Sequence, residues 1–286
     1  MNGYDEVRPV PVATLGASRD HLPGRITRRP VRDASRRRVG SPPRRPTYDR
    51  SVFIPDRRLA LAYRVIAAGL VFWGIARITG LFTGHVAGVQ FLYFTVLSNI
   101  LCLGWFVALA ARTVRDLVRD GTRGQSTPSA RFGGAVMMAI TVTMLIYLII
   151  LVPEAFTQRS GYTPFTLTDN LIHIFTPLLT IGDWLLFTAK GAFRWYDPPL
   201  WAIVPAAYLV FAFAYGGLGG TFGGGTPYPY PFMEVDRLGI GGVAVWLVGL
   251  GVALEIVAFV YVALDRGLGV VARRFARRSG APVAAP

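Results

Sequence analysis

A histidine and a threonine in two apolar segments are the residues of this chain best placed for chemistry. His173 is the one histidine of three that lies inside an apolar segment. An ionisable side chain at membrane depth costs roughly 2.5–3.5 kcal/mol on insertion scales when it has no partner, so it marks a functional site by default. Thr95 lies in a second apolar segment, and an alcohol becomes a nucleophile when a base takes its proton. The two residues together predict acyl transfer, with Thr95 as the nucleophile and His173 as the base.

Neighbouring side chains are expected to share the level of this pair. Asp169 precedes His173 by four residues, so the two share a helical face. Ser98 and Asn99 follow Thr95 by three and four residues and share its face in the same way. A catalytic base needs an orienting partner, and Asp169 or Asn99 would meet that role. Two side chains from other apolar segments are expected near the same level, Arg77 and Tyr147.

Each of these residues also has a structural interpretation. Hydroxyl groups such as that of Thr95 usually bond to their own backbone or across helices in membranes. His173 would serve equally well in an interhelical hydrogen bond, and Asn99 in the same role. Asp169 is placed to cap the start of its helix. The sequence alone leaves both interpretations open.

A second polar set is predicted in the opposite half of the membrane. Asp183 lies ten residues beyond His173, about 15 Å further along a helix, and Arg64 and Glu255 fall in the same half of their own segments. Buried charges are expected to pair. The sequence therefore predicts an Arg64–Asp183 or an Arg64–Glu255 contact, which would either fasten the bundle or belong to a proton pathway.

Composition and hydropathy indicate a membrane protein. Hydrophobic residues make up 52% of the 286 residues and charged residues only 16%, whereas soluble domains carry about 25% charged residues. A membrane-spanning helix needs about 20 apolar residues, and its backbone groups must be satisfied within the span. Six stretches qualify, at 60–79, 89–110, 134–152, 168–188, 201–216 and 239–263. The predicted fold class is all-α, a polytopic bundle of six transmembrane helices.

The placement of basic residues predicts the orientation of this bundle. Twenty-six of the 30 Lys and Arg residues lie before the first span, after the second, after the fourth and after the sixth. The loops on the other side hold only Arg159 and Arg237. Basic loops are typically cytoplasmic, so both termini of a multi-pass cell-membrane protein are expected in the cytoplasm. Thr95 and His173 would then lie roughly 8–9 Å below the outer edge of the membrane.

The two ends of the chain differ in composition from the spans. Residues 1–57 are predicted to be a disordered cytoplasmic tail rich in Arg and Pro, because such a segment buries too little apolar surface to fold. Residues 58–265 are predicted to form the transmembrane domain, and residues 266–286 a basic cytoplasmic tail. Membrane lipids are the expected partners, with anionic headgroups at the basic tails. Specific nucleic-acid binding is not expected, since no folded nucleic-acid module accompanies the arginines.

Cofactor chemistry is not expected of this chain. Cys102 is its only cysteine, which excludes a disulfide framework or a thiolate metal site within one chain. We expect no metal and no cofactor, and a small lipid ester as the substrate.

Four motifs together resemble a known membrane family. They are the run Phe-Thr-Val-Leu-Ser-Asn-Ile at 94–100, His173 with Pro177, the run Asp-Trp-Leu-Leu-Phe at 183–187 followed by Lys190, and the loop Tyr-Pro-Tyr-Pro-Phe at 228–232. The set is similar to the bacterial branch of the androgen-induced-gene-type family of six-span membrane proteins, over roughly residues 59–265. Animal members of that family are threonine hydrolases that cleave fatty acid esters of hydroxy fatty acids with an intramembrane Thr and His. The resemblance implies that Thr95 is the nucleophile and His173 the base.

Three functions compete on these observations. A lipid-ester hydrolase built on Thr95 and His173 is the leading hypothesis. A proton-coupled transporter would use Arg64, Asp183 and Glu255 instead. A non-catalytic membrane scaffold would recruit its partners through the arginine-rich tail.

Overall fold

Six long apolar helices make up most of the part of the protein that the structure describes, as the hydropathy pattern predicts. A computed structural model describes residues 52–157 and 163–278, and no strand occurs within these two ranges. The six helices are α1 (Arg57–Thr79), α2 (Phe94–Asp120), α3 (Ala130–Phe156), α4 (Leu167–Phe187), α5 (Asp197–Gly217) and α6 (Val235–Arg278). Each contains a window long and apolar enough to cross a membrane. The all-α, six-span membrane fold is therefore confirmed.

Two helices have ends that differ from the prediction. The apolar stretch starting at 89 does not begin α2, because Gly88–Leu92 forms a separate 3₁₀ turn and the regular helix starts at Phe94. The last helix continues to Arg278, so the boundary predicted at 265 lies inside α6. Hydropathy detects the part of a helix that matches the hydrocarbon thickness, and it does not detect the polar turns that extend beyond it. Residues 1–51 and 279–286 lie outside the described ranges.

Local signals set the limits of α1. Asp56 accepts hydrogen bonds from the main-chain N–H groups of Arg58 and Leu59, which have no helical acceptor at this end. Gly80 ends the helix with φ +71°, a conformation that glycine adopts without steric cost. The helix packs mainly against α2 and, to a lesser extent, against α4. These contacts place α2 and α4 beside the same helix, which brings the predicted site residues of both into one region.

Two prolines reshape the helices that carry the predicted site. Pro153 in α3 follows a π-helical turn over Tyr147–Leu151, and Pro177 in α4 follows another over Leu171–Phe175. Proline has no N–H and clashes with the carbonyl four residues earlier, so the regular hydrogen-bond ladder is disrupted there. The N–H groups of Val152 and Thr176 donate instead to carbonyls five residues back. π-turns of this kind occur frequently at functional sites.

The apolar core has two parts. One lies between α1, α2 and α3 and includes Ala67, Val71, Cys102, Phe106 and Ile140. The other joins α3, α5 and α6 to the aromatic loop before α6. Because these clusters bury the inward faces of the helices, they fix which side of each helix points into the bundle.

Candidate functional site

Asn99 joins the two helices that carry the predicted catalytic pair. Its Nδ2 donates to the carbonyl of Thr95 at 2.7 Å and to the carbonyl of Ile172 on α4 at 3.0 Å. The Ile172 carbonyl is in the π-turn, in which each carbonyl accepts from the N–H five residues later. For Ile172 that residue is Pro177, which has no N–H. Asn99 therefore supplies the missing donor and holds Thr95 and His173 at the same depth. The role of interhelical hydrogen-bonding residue is confirmed for Asn99.

His173 is oriented by a main-chain carbonyl. Its Nδ1 lies 3.1 Å from the carbonyl oxygen of Asp169, and its side chain is buried. A carbonyl only accepts hydrogen bonds, so we assign the proton of the neutral ring to Nδ1. Nε2 then carries the lone pair, and it makes no hydrogen bond with any described residue. This is the tautomer that a general base requires.

The ring of Tyr147 covers His173, and a strained residue contacts Tyr147. The ring of Tyr147 stacks on the imidazole, with centroids 4.1 Å apart and planes 9° from parallel. The Tyr147 hydroxyl accepts a hydrogen bond of 2.8 Å from the N–H of Phe165, whose φ of +64° is unusual for a residue with a side chain. Strained backbone persists only where its surroundings hold it, and it clusters at functional sites. The predicted shared level of Tyr147 and His173 is confirmed.

Asp169 caps the start of α4 with its side chain. Its carboxylate accepts from the N–H and the hydroxyl of Thr166, and the Thr166 hydroxyl accepts from the N–H of Asp169. This reciprocal arrangement is a capping box. Of the two predicted roles, capping thus belongs to the carboxylate, while the orientation of His173 comes from the main-chain carbonyl of the same residue.

Thr95 and Ser98 find partners on other elements than α4. The phenol of Tyr230, in the loop before α6, lies close to Thr95, and burial raises the pKa of Tyr230 to about 12. The Ser98 hydroxyl lies 2.8 Å from that of Thr143 on α3. In the described part of the chain, no hydrogen bond joins the side chains of Thr95 and His173. The structure brings both residues to one level and supplies each with a different aromatic neighbour.

Arg77 lies at the edge of this region. Its Nε donates to the Thr168 hydroxyl at 3.0 Å, and its guanidinium stacks 5.9 Å from the ring centroid of Trp73. The side chain is exposed and ties the end of α1 to the start of α4. These contacts give Arg77 a fastening role outside the surroundings of the imidazole.

The second predicted polar set divides into a pair and a single residue. Arg64 and Asp183 are buried and form an ion pair with Nε 2.7 Å from Oδ1, and Arg64 also donates to the Thr113 hydroxyl at 2.6 Å. The predicted Arg64–Asp183 contact is thus confirmed. Glu255 lies apart from it, on the part of α6 that lines an apolar cavity. The alternative Arg64–Glu255 pairing does not form.

Two apolar cavities lie near the site. The smaller, of about 210 Å³, is between α2 and α5, and the Ser98 side chain is in its wall one turn from Thr95. The larger, of about 320 Å³, is enclosed by α3, α5 and α6 and includes Tyr230 and Glu255 in its lining. Phe94 and Tyr208 line both, with ring centroids 5.2 Å apart. Together these two rings form the partition between the cavities.

Two residues at the site escaped sequence reasoning. The first is Tyr230, although the loop Tyr-Pro-Tyr-Pro-Phe was a visible aromatic signal. The second is Thr143, one of several threonines in α3 with nothing in its spacing to distinguish it. Both contacts join residues far apart in sequence, so only the packing of the helices reveals them.

Comparison with known proteins yields no relative: no family model, curated protein or solved structure matches the chain. The family resemblance and the roles that it implies thus stay predictions. No group of three or more His, Cys, Asp or Glu side chains that could hold a metal ion occurs within residues 52–157 and 163–278.

Proposed function

We propose that the protein is a hydrolase of lipid esters in the cell membrane, with His173 as the general base and Thr95 as the nucleophile. The observation that carries the proposal is the orientation of His173. Its Nδ1–H is held by the Asp169 carbonyl, so Nε2 has a free lone pair in a buried, aromatic environment. A base held in one tautomer by a second group is the arrangement that activates hydroxyl nucleophiles.

The reaction would proceed in two steps with one proton carrier. The Thr95 oxygen attacks the ester carbonyl, its proton passes to Nε2 of His173, and the leaving alcohol takes that proton as the C–O bond breaks. Water then attacks the acyl-threonine, gives a proton to Nε2 and releases the acid as the threonine oxygen is reprotonated. The Thr95 hydroxyl must turn toward the imidazole for the first step. Catalytic hydrogen bonds are often unformed before substrate binds.

The smaller cavity supplies the place for an acyl chain. It is apolar, it is bounded by α2 and α5, and Ser98 in its wall is one helical turn from Thr95. A chain lying there would bring its ester group to the level of Thr95. This supports lipid esters, rather than water-soluble ones, as the substrate class. The basic segments of the chain would hold the protein near anionic headgroups.

Active-site labelling tests this proposal. We expect a fluorophosphonate with a long alkyl chain to label the purified protein, and Thr95→Ala and His173→Ala each to lower the labelling rate at least a hundredfold, since base catalysis contributes about 10²–10⁴. Thr168→Ala is the matched control, because it removes the same hydroxyl type at the start of α4, where its partner is Arg77. Equal labelling of all four proteins would exclude Thr95 and His173 as the reactive pair.

A further inference from the structure

Glu255 is an acid in the middle of an apolar helix with no protein partner. Within the described part of the chain, no side chain or main-chain group forms an ion pair or hydrogen bond with it. A charged group at membrane depth is costly and is expected to face a bundle interior or a cavity, where it meets its partner. Glu255 does face the larger cavity. Its partner is therefore expected to come from outside the described residues, and a bound ligand would meet that need.

The cavity around Glu255 has the lining of a ligand site. Its volume of about 320 Å³ lies at the lower end of the range for small-molecule pockets. It is almost wholly apolar and contains no lysine, arginine or histidine among its described lining residues. Aromatic rings contribute much of the wall, from Phe94, Tyr208, Tyr230 and Phe232. A single negative group amid aromatic faces is complementary to a hydrophobic cation. Such a cation is attracted both by the carboxylate charge and by the faces of the rings.

The carboxylate and the aromatic rings lie at one depth. Asp265 on α6 accepts from the N–H of Phe193 at 2.9 Å, and Asp197 at the start of α5 accepts from the N–H of Arg194 at 2.8 Å. These two carboxylates are therefore level, since they bind consecutive residues. Glu255 is ten residues before Asp265, about 15 Å along α6, and Tyr208 is eleven residues after Asp197, about 16 Å along α5. One compact ligand would thus reach both Glu255 and the ring of Tyr208.

From these observations we propose that the larger cavity binds hydrophobic organic cations, with Glu255 as the counter-charge. The counter-charge of this site lies on α6, whereas the proposed ester chemistry uses α2 and α4, and Tyr230 lies between the two. One carboxylate cannot hold a proton and pair with a cation at once, so protonation and cation binding compete. The other titratable groups that face the cavity are the phenols of Tyr208 and Tyr230, and phenols keep their protons between pH 5 and 8. Glu255 alone would carry a pH dependence in that range.

Equilibrium dialysis of radiolabelled tetraphenylphosphonium against the full-length protein in detergent tests the proposal. We expect saturable binding of one cation per chain, weakened at least tenfold by Glu255→Gln, with weaker binding at pH 5 than at pH 8 in the wild type. Glu234→Gln is the charge-matched control, because Glu234 pairs with Arg237 in an exposed turn. His173→Ala should leave cation binding unchanged, which separates this test from that of the hydrolase.

A second variant leaves the carboxylate in place. Gly251 lines the cavity one turn before Glu255, and a side chain there meets no atom within 4 Å, so Gly251→Leu should fill the space and weaken binding at least tenfold. Gly249→Leu is its control on the same helix, since Gly249 also has open space and lies outside the cavity lining. The proposal is overturned if the wild type shows no saturable binding, or if Glu255→Gln binds the cation as tightly. It is also overturned if neutral triphenylphosphine oxide competes as well as the unlabelled cation.

Discussion

The buried set around Arg64 and the region around His173 use polar side chains in opposite ways. Arg64 meets Asp183 and Thr113, so the charges of this pair are compensated within the protein. Around His173, Oδ1 of Asn99 is the one buried side-chain oxygen or nitrogen of the described residues without a hydrogen bond. Nε2 of His173 also makes no hydrogen bond with a described residue.

This difference indicates that the Arg64–Asp183 pair holds helices together, whereas the region around His173 is available for catalysis. A buried ion pair whose groups are all satisfied holds helices together and has no capacity left for a ligand. Unsatisfied buried polar atoms cost free energy, and each requires an explanation such as a catalytic role. The region around His173 also contains both π-turns and the strained Phe165. Disturbing the Arg64–Asp183 pair should therefore affect folding, whereas disturbing the region around His173 should affect activity more than stability.

The largest effect is expected at the Arg64–Asp183 ion pair. Asp183→Asn leaves the guanidinium of Arg64 buried without a counter-charge, so it should lower the free energy of unfolding by about 3–5 kcal/mol. Unfolding of the purified protein in mixed detergent measures this. The double variant Arg64→Met with Asp183→Leu removes both charges and should recover most of the loss. A stable Asp183→Asn protein would show that this pair does not fasten the bundle.

A smaller loss is expected when the link between α2 and α4 is removed. Asn99→Leu deletes the donor to the Ile172 carbonyl, which has no helical donor because of Pro177, so stability should fall by about 1–3 kcal/mol. The same unfolding measurement applies. Fluorophosphonate labelling should fall as well, since Thr95 and His173 lose their common register. Unchanged labelling would mean that Asn99 does not position the pair.

Coupling between Asn99 and Pro177 should be about 1 kcal/mol. Pro177→Ala returns an N–H to α4, so the Ile172 carbonyl can be satisfied without Asn99, and Asn99→Leu should cost less in that background. A double-mutant cycle of the unfolding free energies measures the difference. Pro205→Ala on α5 is the control and should be additive with Asn99→Leu. Additivity at Pro177 would contradict the explanation given for the Asn99 contact.

The smallest effect concerns Lys190, which lies in the loop after α4. Burial lowers the pKa of Lys190 from 10.5 to about 8, against the opposing influence of Asp265 and Asp183. Between pH 8 and 10.5 the unfolded chain holds the lysine proton and the folded chain does not, so stability should rise with pH there. The gain should be about 1 kcal/mol from pH 8 to 9. Lys190→Gln should remove this slope in unfolding experiments, and a slope that persists would assign it to another group.

Much of the fold was predictable because hydropathy along the sequence is enough to locate the membrane spans. Six apolar stretches gave the six helices, and the predicted start of the last one coincides with Gly239, where φ of +67° interrupts α6. The depth of His173 relative to Thr95 and Tyr147 followed from counting residues. The 3₁₀ turn before Phe94 was missed because its residues are as apolar as a helix.

The sequence thus determines the position of each residue along the membrane normal, since each residue adds a fixed rise and each span must match the thickness of the bilayer. The sequence does not determine how each helix is rotated about its own axis. It depends on packing and on the π-turns at Pro153 and Pro177, which turn the preceding residues relative to the rest of the helix. For that reason the sequence allowed either Asp183 or Glu255 as the partner of Arg64, and only the packing of the helices decides for Asp183.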